Sequence, residues 1–235
     1  MIVKDLGIVI KRTNFRETSV LVDIFTKNHG KISGILKGFY RGKKEFTSSL
    51  DIFTLNEILF YPSRHLSLIS AVDLVKDFPY LSKDYKKAFI AAKFIKAVDK
   101  LLPYGEKNEE IFSLIYLSLS ALKENSFQKV FYIFFIKFLN FSGLRPNLAN
   151  CIKCERPVDK LLFFDASGGG IVCKYCSKFY NNIEVINPKT AAFIDYIQRE
   201  KFIFALRVAP DEDTEKEILY LLNIFFQYHL DFSLI

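Results

Sequence analysis

The chain has 235 residues, of which 50% are hydrophobic and 25% charged, so it can bury one large core or several smaller ones and is not a disordered tail. Its 33 lysines and arginines exceed its 26 acidic residues and give a formal charge of +7, which excludes an acidic solvating protein and favours a polyanionic partner. Residues 1–12 alternate apolar and charged side chains, unlike a secretory signal, and the most apolar stretch, residues 130–141, contains Lys137 and Asn140. We therefore expect a cytoplasmic protein without a membrane-spanning segment.

The amino-terminal part contains five short stretches rich in Val, Ile, Leu, Phe and Thr, which predict β-strands. They cover residues 6–11, 19–26, 31–37, 53–60 and 68–75. Asn28-His29-Gly30 predicts a tight turn between the second and third strands. A unit of five strands favours a small closed barrel, because closure removes the edges that an open sheet would expose. We therefore predict an OB-fold over residues 1–80.

The densest positive charge lies between Lys27 and Lys44, a run with six basic and no acidic side chains. It falls on the third predicted strand and the connection after it, where an OB-fold contacts oligonucleotides. Of the 33 basic residues of the chain 25 are lysines, which neutralise phosphates rather than reading base edges. The run favours binding to a nucleic-acid backbone, and a merely solvated loop is the alternative.

From residue 82 the apolar side chains recur at three- and four-residue steps, which predicts a helix that ends at Leu102-Pro103. A second helix follows Asn108, where two glutamates suit the positive end of the helix dipole. A third helix covers about residues 127–141.

All four cysteines lie within 26 residues, as Cys151-x-x-Cys154 and Cys173-x-x-Cys176. A two-residue gap lets both thiolates of a knuckle reach one ion, and two knuckles supply a closed tetrahedral shell of four sulfurs. Predicted strands at residues 161–165 and 171–173, joined by a glycine-rich turn, bring the second pair back to the first. The spacing therefore predicts a structural Zn²⁺ site that leaves no coordination position open for catalysis.

Three other interpretations of the cysteines are open at this point. Two disulfides and four unrelated thiols are alternatives, of which disulfides are disfavoured in a cytosolic chain without further cysteines. An iron–sulfur cluster uses the same four ligands, and ligand softness alone does not separate iron from zinc. Metal analysis of anaerobically purified protein distinguishes these possibilities.

Two more helices are predicted after the cysteines. Asn187-Pro188 offers an N-cap followed by proline at the first helical position, and Thr214 with Glu217 forms a capping-box pattern. The predicted fold class is therefore α+β, with a five-stranded OB-fold barrel followed by a mainly α-helical domain. That helical domain covers residues 81–150 and 184–235, and a zinc-binding module with four cysteine ligands is inserted in it at residues 147–183.

No catalytic constellation is recognisable in the sequence. None of the three histidines lies in an H-E-x-x-H motif, or in an H-x-E motif ahead of a cysteine pair. Gly38 to Lys44 resembles a phosphate-binding loop, but only three residues separate Gly38 from Gly42, and Lys44 replaces the magnesium-binding hydroxyl. We expect a protein that is not an enzyme.

Several segments in fixed order carry a family resemblance. The chain opens with Leu-Gly-Ile-Val-Ile-Lys-Arg at 6–12, Arg-Glu-Thr-Ser-Val-Leu-Val at 16–22 and Phe-Thr-Lys-Asn-His-Gly-Lys-Ile at 25–32. The two cysteine pairs follow, with Gly169-Gly170 before the second pair, and Tyr228-His229-Leu230 lies near the end. This arrangement resembles the bacterial RecO family of DNA repair proteins over nearly the whole chain.

The resemblance implies a non-enzymatic recombination mediator with an amino-terminal OB-fold and a zinc module. RecO proteins bind single- and double-stranded DNA, anneal complementary strands and help to load the RecA recombinase onto strands coated by single-strand binding protein. The implied partners are RecR and the acidic, hydrophobic C-terminal tail of single-strand binding protein, with RecA indirectly and no membrane. The implied location is cytoplasmic and nucleoid-associated, and all four cysteines carry over as zinc ligands.

The basic run supplies the predicted DNA contacts for this role. Annealing needs a surface that neutralises phosphates without discriminating sequence, and aromatic rings within such a surface can stack on unpaired bases. Burial in the core is the alternative for these aromatic residues. The predicted DNA-binding residues are Lys31, Lys37, Phe39, Tyr40, Arg41, Lys43 and Lys44.

A hypothesis from a different class is a zinc-stabilised adaptor with only weak, non-specific nucleic-acid binding. Its zinc module and acidic C-terminal helix would dock other proteins, and residues 191–235 carry a net charge of −4. A fluorescence assay of strand annealing separates the two hypotheses, because a pure adaptor does not accelerate annealing.

Overall fold

The structure is a computed structural model that describes residues 1–41, 50–158 and 161–234. The predicted contacts Lys43 and Lys44 lie outside these residues. By its internal contacts the chain divides into two compact units, Met1–Lys123 and Glu124–Ile235. We describe each unit by itself.

The first unit contains a closed five-stranded barrel. Its strands are β1 (Val3–Phe15), β2 (Ser19–Thr26), β3 (Gly30–Leu36), β4 (Leu55–Tyr61) and β5 (Ser67–Lys76). They are arranged in the ring order β1-β2-β3-β5-β4, in which β3 and β5 are parallel and the other neighbours antiparallel. This is the Greek-key barrel of an OB-fold, which confirms the predicted fold class.

One long strand closes the ring. The first half of β1 pairs with β4, and from Gly7 onward β1 pairs with β2. A register shift between Val9 and Lys11 bends the strand between its two partners, as bulges do at barrel corners. At the seam between β3 and β5, a Cβ on Gly34 would lie 2.6 Å from Ile69 Cδ1, so glycine allows the two strands to approach.

The predicted turn between β2 and β3 is present and is organised by a buried carboxylate. Asp5 accepts hydrogen bonds from the backbone N–H and the side-chain amide of Asn28, at 3.0 and 2.8 Å. His29 Nδ1 lies 2.6 Å from Oδ2 of the same carboxyl group. Gly30 then takes a φ of +65°, a conformation that glycine adopts without strain.

The first unit also contains the helices α1 (Tyr85–Leu101) and α2 (Glu109–Ala121). Asp84 caps α1 by accepting from the N–H groups of Lys86 and Lys87, and Asn108 caps α2 as predicted. The sequence predicts that these helices belong to the helical domain, residues 81–150 and 184–235. By internal contacts the two helices belong to the same compact unit as the barrel.

The second unit is built on α3 (Phe127–Phe141), in which residues 130–139 are all buried. It packs against α5 (Pro188–Arg199) and α7 (Glu212–Leu230). Lys137 interrupts the apolar surface of α3, and its Nζ donates to the carbonyl oxygens of Ile197, at 2.8 Å, and Glu200 at the end of α5. Burial lowers the pKa of Lys137, while Glu200 acts to raise it.

The start of α7 differs from the prediction. Its N-cap is Asp211, whose carboxylate accepts from the backbone N–H of Thr214 at 2.9 Å. Glu217 does not close a capping box; it accepts instead from the backbone N–H of Asn187, at 3.0 Å, and from the hydroxyl of Thr190. The predicted capping box is therefore wrong, because an aspartate three residues earlier supplies the cap.

Three strands and two short helices complete the second unit. These are β6 (Leu162–Asp165), β7 (Gly170–Cys173), α4 (Lys174–Ser177), β8 (Glu184–Ile186) and α6 (Phe202–Ala205). The strands form an antiparallel sheet in the order β7-β6-β8. Within the part of the chain that the structure describes, no helix has the length and apolar character of a membrane span.

Candidate metal centre and nucleic-acid surface

The four cysteines converge on one point. Their sulfur atoms all lie within 4.8 Å of one another, and Cys154 Sγ is 3.8 Å from Cys173 Sγ. None of the four is in a disulfide. Four sulfurs bound to one Zn²⁺ ion at about 2.3 Å are about 3.8 Å apart, which matches this spacing. The predicted convergence of the two pairs is therefore confirmed, and the donor set fits a tetrahedral ion.

Local backbone geometry forms the first knuckle, residues 151–154. The N–H of Glu155 donates to the carbonyl of Cys151 at 2.8 Å, with Glu155 itself in the left-handed region at a φ of 61°. The N–H of Cys151 donates to the carbonyl of Arg156 at 3.0 Å. These two bonds reverse the chain immediately after Cys154, so that both thiols of the pair face the same side.

The second knuckle follows β7 directly. Cys173 is the last residue of β7, and α4 places Cys176 one turn later on the same side. The backbone N–H of Ile152 donates to the carbonyl of Ile171 at 2.9 Å, which ties the first knuckle to this strand. The predicted hairpin of residues 161–173 is present as β6 and β7, whereas the sequence reasoning missed β8 because three residues are too few for a periodic signal.

The glycines of the hairpin turn are required by packing. A Cβ added to Gly168 or to Gly170 would lie 2.6 Å from a methyl group of the Ile152 side chain. Gly169 between them has a φ of +74°. The turn is therefore closely covered by the first knuckle, and larger residues there would push the two cysteine pairs apart.

Two thiols of the cluster have pKa values shifted in opposite directions. Burial acts to raise the pKa of Cys151, but hydrogen bonds from the backbone N–H groups of Cys173, Cys154 and Lys153 outweigh it and lower that pKa. Burial and then hydrogen bonding to the three neighbouring thiols raise the pKa of Cys176. The surroundings therefore favour the thiolate at Cys151 and oppose it at Cys176, and a bound divalent cation would stabilise both thiolates.

The cysteine module is fastened to α7 through its hairpin. His229 Nε2 lies 2.6 Å from the carbonyl oxygen of Ala166 in the hairpin turn. Phe225, one turn earlier, stacks against His229 with ring centroids 4.3 Å apart and also meets Phe164 of β6 at 6.1 Å. The Tyr228-His229-Leu230 segment singled out in the sequence thus includes the residue that holds this module in place.

The predicted DNA contact Lys31 is buried in the first unit, with only 4% of its side chain exposed. Its Nζ donates to the backbone carbonyl of Asp99, lies 3.2 Å from Asp99 Oδ1 and sits 4.3 Å from the ring centroid of Tyr104. The structure therefore does not support Lys31 as a phosphate contact. A basic residue in a strand looks the same in the sequence whether it meets DNA or a neighbouring helix.

Phe39 is also buried. It opens a short 3-10 helix, residues Phe39–Arg41, and its side chain is 3% exposed within the barrel core. The guanidinium carbon of Arg12 lies 5.1 Å from its ring centroid. The ring is thus covered and is not presented for stacking on a base, so the alternative of core burial applies at this position.

Tyr40 and Lys37 are exposed beside the connection between β1 and β2. The Tyr40 side chain is 39% exposed, and its hydroxyl donates to Asn14. Its backbone N–H donates to the carbonyl of Thr18 in that connection, at 3.3 Å. Lys37 follows β3 directly and is exposed, and Arg41 is the last residue of the 3-10 helix.

A groove runs across the outer face of β1, β2 and β3. Lys11, Asp23 and Ser33 lie side by side on the three strands, and Ser33 donates to Asp23. The groove continues past Ser33 to the connection between β4 and β5, where Arg64 and His65 are exposed. We call this surface the β2–β3 face and define it by Lys11, Thr13, Leu21, Asp23, Ser33, Ser63, Arg64, His65, Leu66 and Tyr104.

The sequence reasoning missed the basic residues of this face. Lys11 lies in a predicted strand, and its alternation with buried Ile10 was the available signal for an outward side chain. Arg64 stands alone in sequence, so no charge run marked it. The fold brings the two residues to neighbouring parts of this face because β5 pairs with β3, so that the β4–β5 connection ends next to it.

Two protein-family models match this chain, one over the barrel and the other over the rest. A family model described as "Recombination protein O N terminal" matches residues 1–78, and one described as "Recombination protein O C terminal" matches residues 82–234. The boundary between the two matches follows the barrel and precedes α1.

Individual relatives agree with these matches. The protein named "DNA repair protein RecO" in Alkaliphilus metalliredigens is 27% identical over 236 aligned positions, covering 98% of this chain and 95% of the relative. That of Caldanaerobacter subterraneus is 24% identical, covering 97% and 93%. That of Caldicellulosiruptor bescii is 31% identical over 185 positions, covering 78% of this chain and 75% of the relative. The chain therefore belongs to the recombination protein O (RecO) family.

Proposed function

We propose that this protein is a non-enzymatic mediator of DNA repair and homologous recombination. It binds single- and double-stranded DNA, anneals complementary strands, and assists RecA loading with RecR on strands coated by single-strand binding protein. Its location is cytoplasmic and associated with the nucleoid. The observation that carries the proposal is an OB-fold barrel whose β2–β3 face and β4–β5 connection expose basic side chains, in a chain that belongs to the RecO family.

The ligand class follows from the fold and the charge of this face. OB-folds bind oligonucleotides on strands 2 and 3 and on the β1–β2 and β4–β5 connections. In this chain Lys11 lies on that face, Arg64 lies on the β4–β5 connection, and Lys37 lies beside the β1–β2 connection. Exposed lysines neutralise phosphates by counterion release without reading sequence, which is what strand annealing requires.

The cysteine cluster in this proposal holds a structural Zn²⁺ ion. Four thiolates saturate a tetrahedral ion, so that no position is open for water or substrate. The ion would fasten two knuckles that are otherwise joined mainly by a short hairpin and its backbone hydrogen bonds. Its loss is expected to loosen residues 147–183 first.

Salt-dependent DNA binding tests the barrel surface. The triple variant Lys11→Ala, Lys37→Ala, Arg64→Ala should reduce the slope of log affinity against log salt for single-stranded DNA by about 2, because each lost phosphate contact removes about 0.7. Lys4→Ala is the matched control, since Lys4 is exposed but paired with Glu57 at 2.7 Å on the opposite strand pair. An unchanged slope in the triple variant would move the DNA site away from the barrel.

Strand annealing separates this function from that of an adaptor. Two complementary oligonucleotides, one carrying a fluorophore and the other a quencher, should anneal faster with the protein at low salt. The acceleration should fade as salt rises and should be weaker in the triple variant. If annealing is not accelerated at any salt concentration, the protein is an adaptor rather than an annealing mediator.

A further inference from the structure

The cysteine module exposes two large aromatic side chains. Tyr175 is 80% exposed and Phe179 is 60% exposed, although most phenylalanines of the described chain are buried or half-buried. Exposure of an aromatic ring to water is unfavourable, although single exposed rings are common on protein surfaces. Two of them four residues apart on one small module form a distinct surface feature.

The convergence of the four cysteines explains why these rings face outward. Cys173 and Cys176 turn their sulfurs towards the other knuckle, so residues of α4 on the other side are directed away from it. Tyr175 lies on α4, and Phe179 follows in a turn whose N–H donates to the carbonyl of Cys176 at 3.0 Å. The two rings therefore lie on one short segment next to the cysteine cluster.

Two lysines lie against the Phe179 ring. Lys153 Nζ, from the first knuckle, lies over one face of the Phe179 ring, 3.7 Å from its centroid, and Lys178 Nζ lies 5.2 Å from the same centroid. Lys174 is exposed on α4, four residues before Lys178. Among the described residues, no carboxylate forms an ion pair with any of these three lysines. The patch thus presents positive charge that the described part of the chain does not neutralise.

We propose that this patch, defined as Lys153, Lys174, Tyr175, Lys178 and Phe179, binds single-stranded nucleic acid by stacking unpaired bases on its two rings. Lysines beside a ring neutralise the phosphates on either side of a stacked base, and this pairing of aromatic and basic side chains is the pattern of single-strand-binding surfaces. An apolar peptide would gain nothing from three unpaired lysines. A duplex offers no free base faces, so the rings select for single strands.

This inference rests on the proposed function, because it adds a second contact surface for the same ligand. The barrel supplies backbone contacts to either form of DNA, and the patch on the cysteine module adds a preference for unpaired bases. An ion bound by the four cysteines would fix the backbone that carries these rings, so less conformational entropy would be lost on binding.

Fluorescence anisotropy with a labelled oligothymidylate of about 20 nucleotides tests the patch. The double variant Tyr175→Ala, Phe179→Ala in the full-length, metal-loaded protein should weaken single-strand binding by about tenfold or more. Its affinity for a duplex of the same length should stay within about twofold, and its salt slope should be unchanged. The matched control is Tyr228→Ala, because Tyr228 is 64% exposed in the acidic C-terminal helix.

A second variant tests the lysines separately. Replacing Lys153, Lys174 and Lys178 with alanine should lower the single-strand salt slope by about 2. If the double alanine variant loses metal or melts early, Tyr175→Leu with Phe179→Leu keeps apolar bulk without rings and should show the same loss of binding. Lys216→Ala, whose lysine is paired with Glu212 at 2.8 Å, is the control for charge.

The outcomes separate the two proposals. If the unmodified protein binds single strands and both ring variants bind them equally tightly, the stacking proposal is overturned while the proposed function stands. If, in that case, the patch binds an acidic peptide, it is a protein-docking surface. If the unmodified protein binds no single-stranded DNA, both proposals fail together.

Discussion

Substitution of Lys31 distinguishes an effect on stability from an effect on DNA binding. Replacing it with methionine keeps most of the buried apolar stem and removes the ammonium group that donates to the Asp99 carbonyl. A hydrogen bond from a charged group contributes about 1.5–3 kcal/mol, and a cation at the C-terminal turn of α1 adds about 0.3–1 kcal/mol. The contact with the Tyr104 ring adds to this, and the desolvation of the ammonium offsets part of it. We expect Lys31→Met to lower the free energy of unfolding by about 2–4 kcal/mol.

The assay compares this variant with Lys37→Met in the same experiments. Urea unfolding followed by circular dichroism should show the loss for Lys31→Met and a change of at most about 0.5 kcal/mol for Lys37→Met, because Lys37 is exposed. The salt slope for single-stranded DNA should instead fall by about 0.7 for Lys37→Met and stay constant for Lys31→Met. The reverse pattern, with a stable Lys31→Met that binds DNA with a reduced slope, would refute the structural role of Lys31.

Three further predictions concern the core, the pH dependence and the metal. Phe39→Ala should cost about 3–5 kcal/mol in urea unfolding, because the ring is buried in the barrel core; normal stability with lost DNA binding would contradict this. Burial raises the pKa of Tyr80 from 10 to about 12, so above pH 10 the unfolded chain loses this proton first. Stability should therefore fall between pH 10 and about 12, and less steeply in Tyr80→Phe; equal slopes in alkaline urea titrations would argue against it. Mercurial titration of the thiols should release about one Zn²⁺ per chain into a chromogenic indicator, and Cys176→Ser should bind less metal and melt earlier; stoichiometric iron, or no metal, would exclude the zinc site.

The barrel and the cysteine cluster were predictable because their signals are local. Each barrel strand is a run of β-branched and aromatic residues between polar breaks, and the turn at Asn28 to Gly30 has the composition of a tight turn. The two-residue gaps between cysteines force each pair to face one point. The structure extends β1 to Val3–Phe15, since a strand shared by two neighbours is longer than either pairing alone suggests.

The missed features depend on contacts between distant residues. Lys31 reads as a DNA contact from its neighbours in sequence, and only the position of α1 shows that Asp99 holds it. Phe39 lies within a basic run, yet the barrel core covers it. Glu217 has the spacing of a capping box with Thr214, but it binds the start of α5 instead. In each case two equally good local arrangements exist, and tertiary packing selects one.

The position of β5 in the ring has a consequence for synthesis on the ribosome. It fills the gap between β3 and β4, and three residue pairs, from Gly34 with Ser67 to Leu36 with Ile69, join it to β3. Until residues 67–76 have left the exit tunnel, the nascent chain holds at most an open sheet with two unpaired edges, which favour self-association. Translation that slows before this strand emerges therefore prolongs the interval in which newly made chains aggregate.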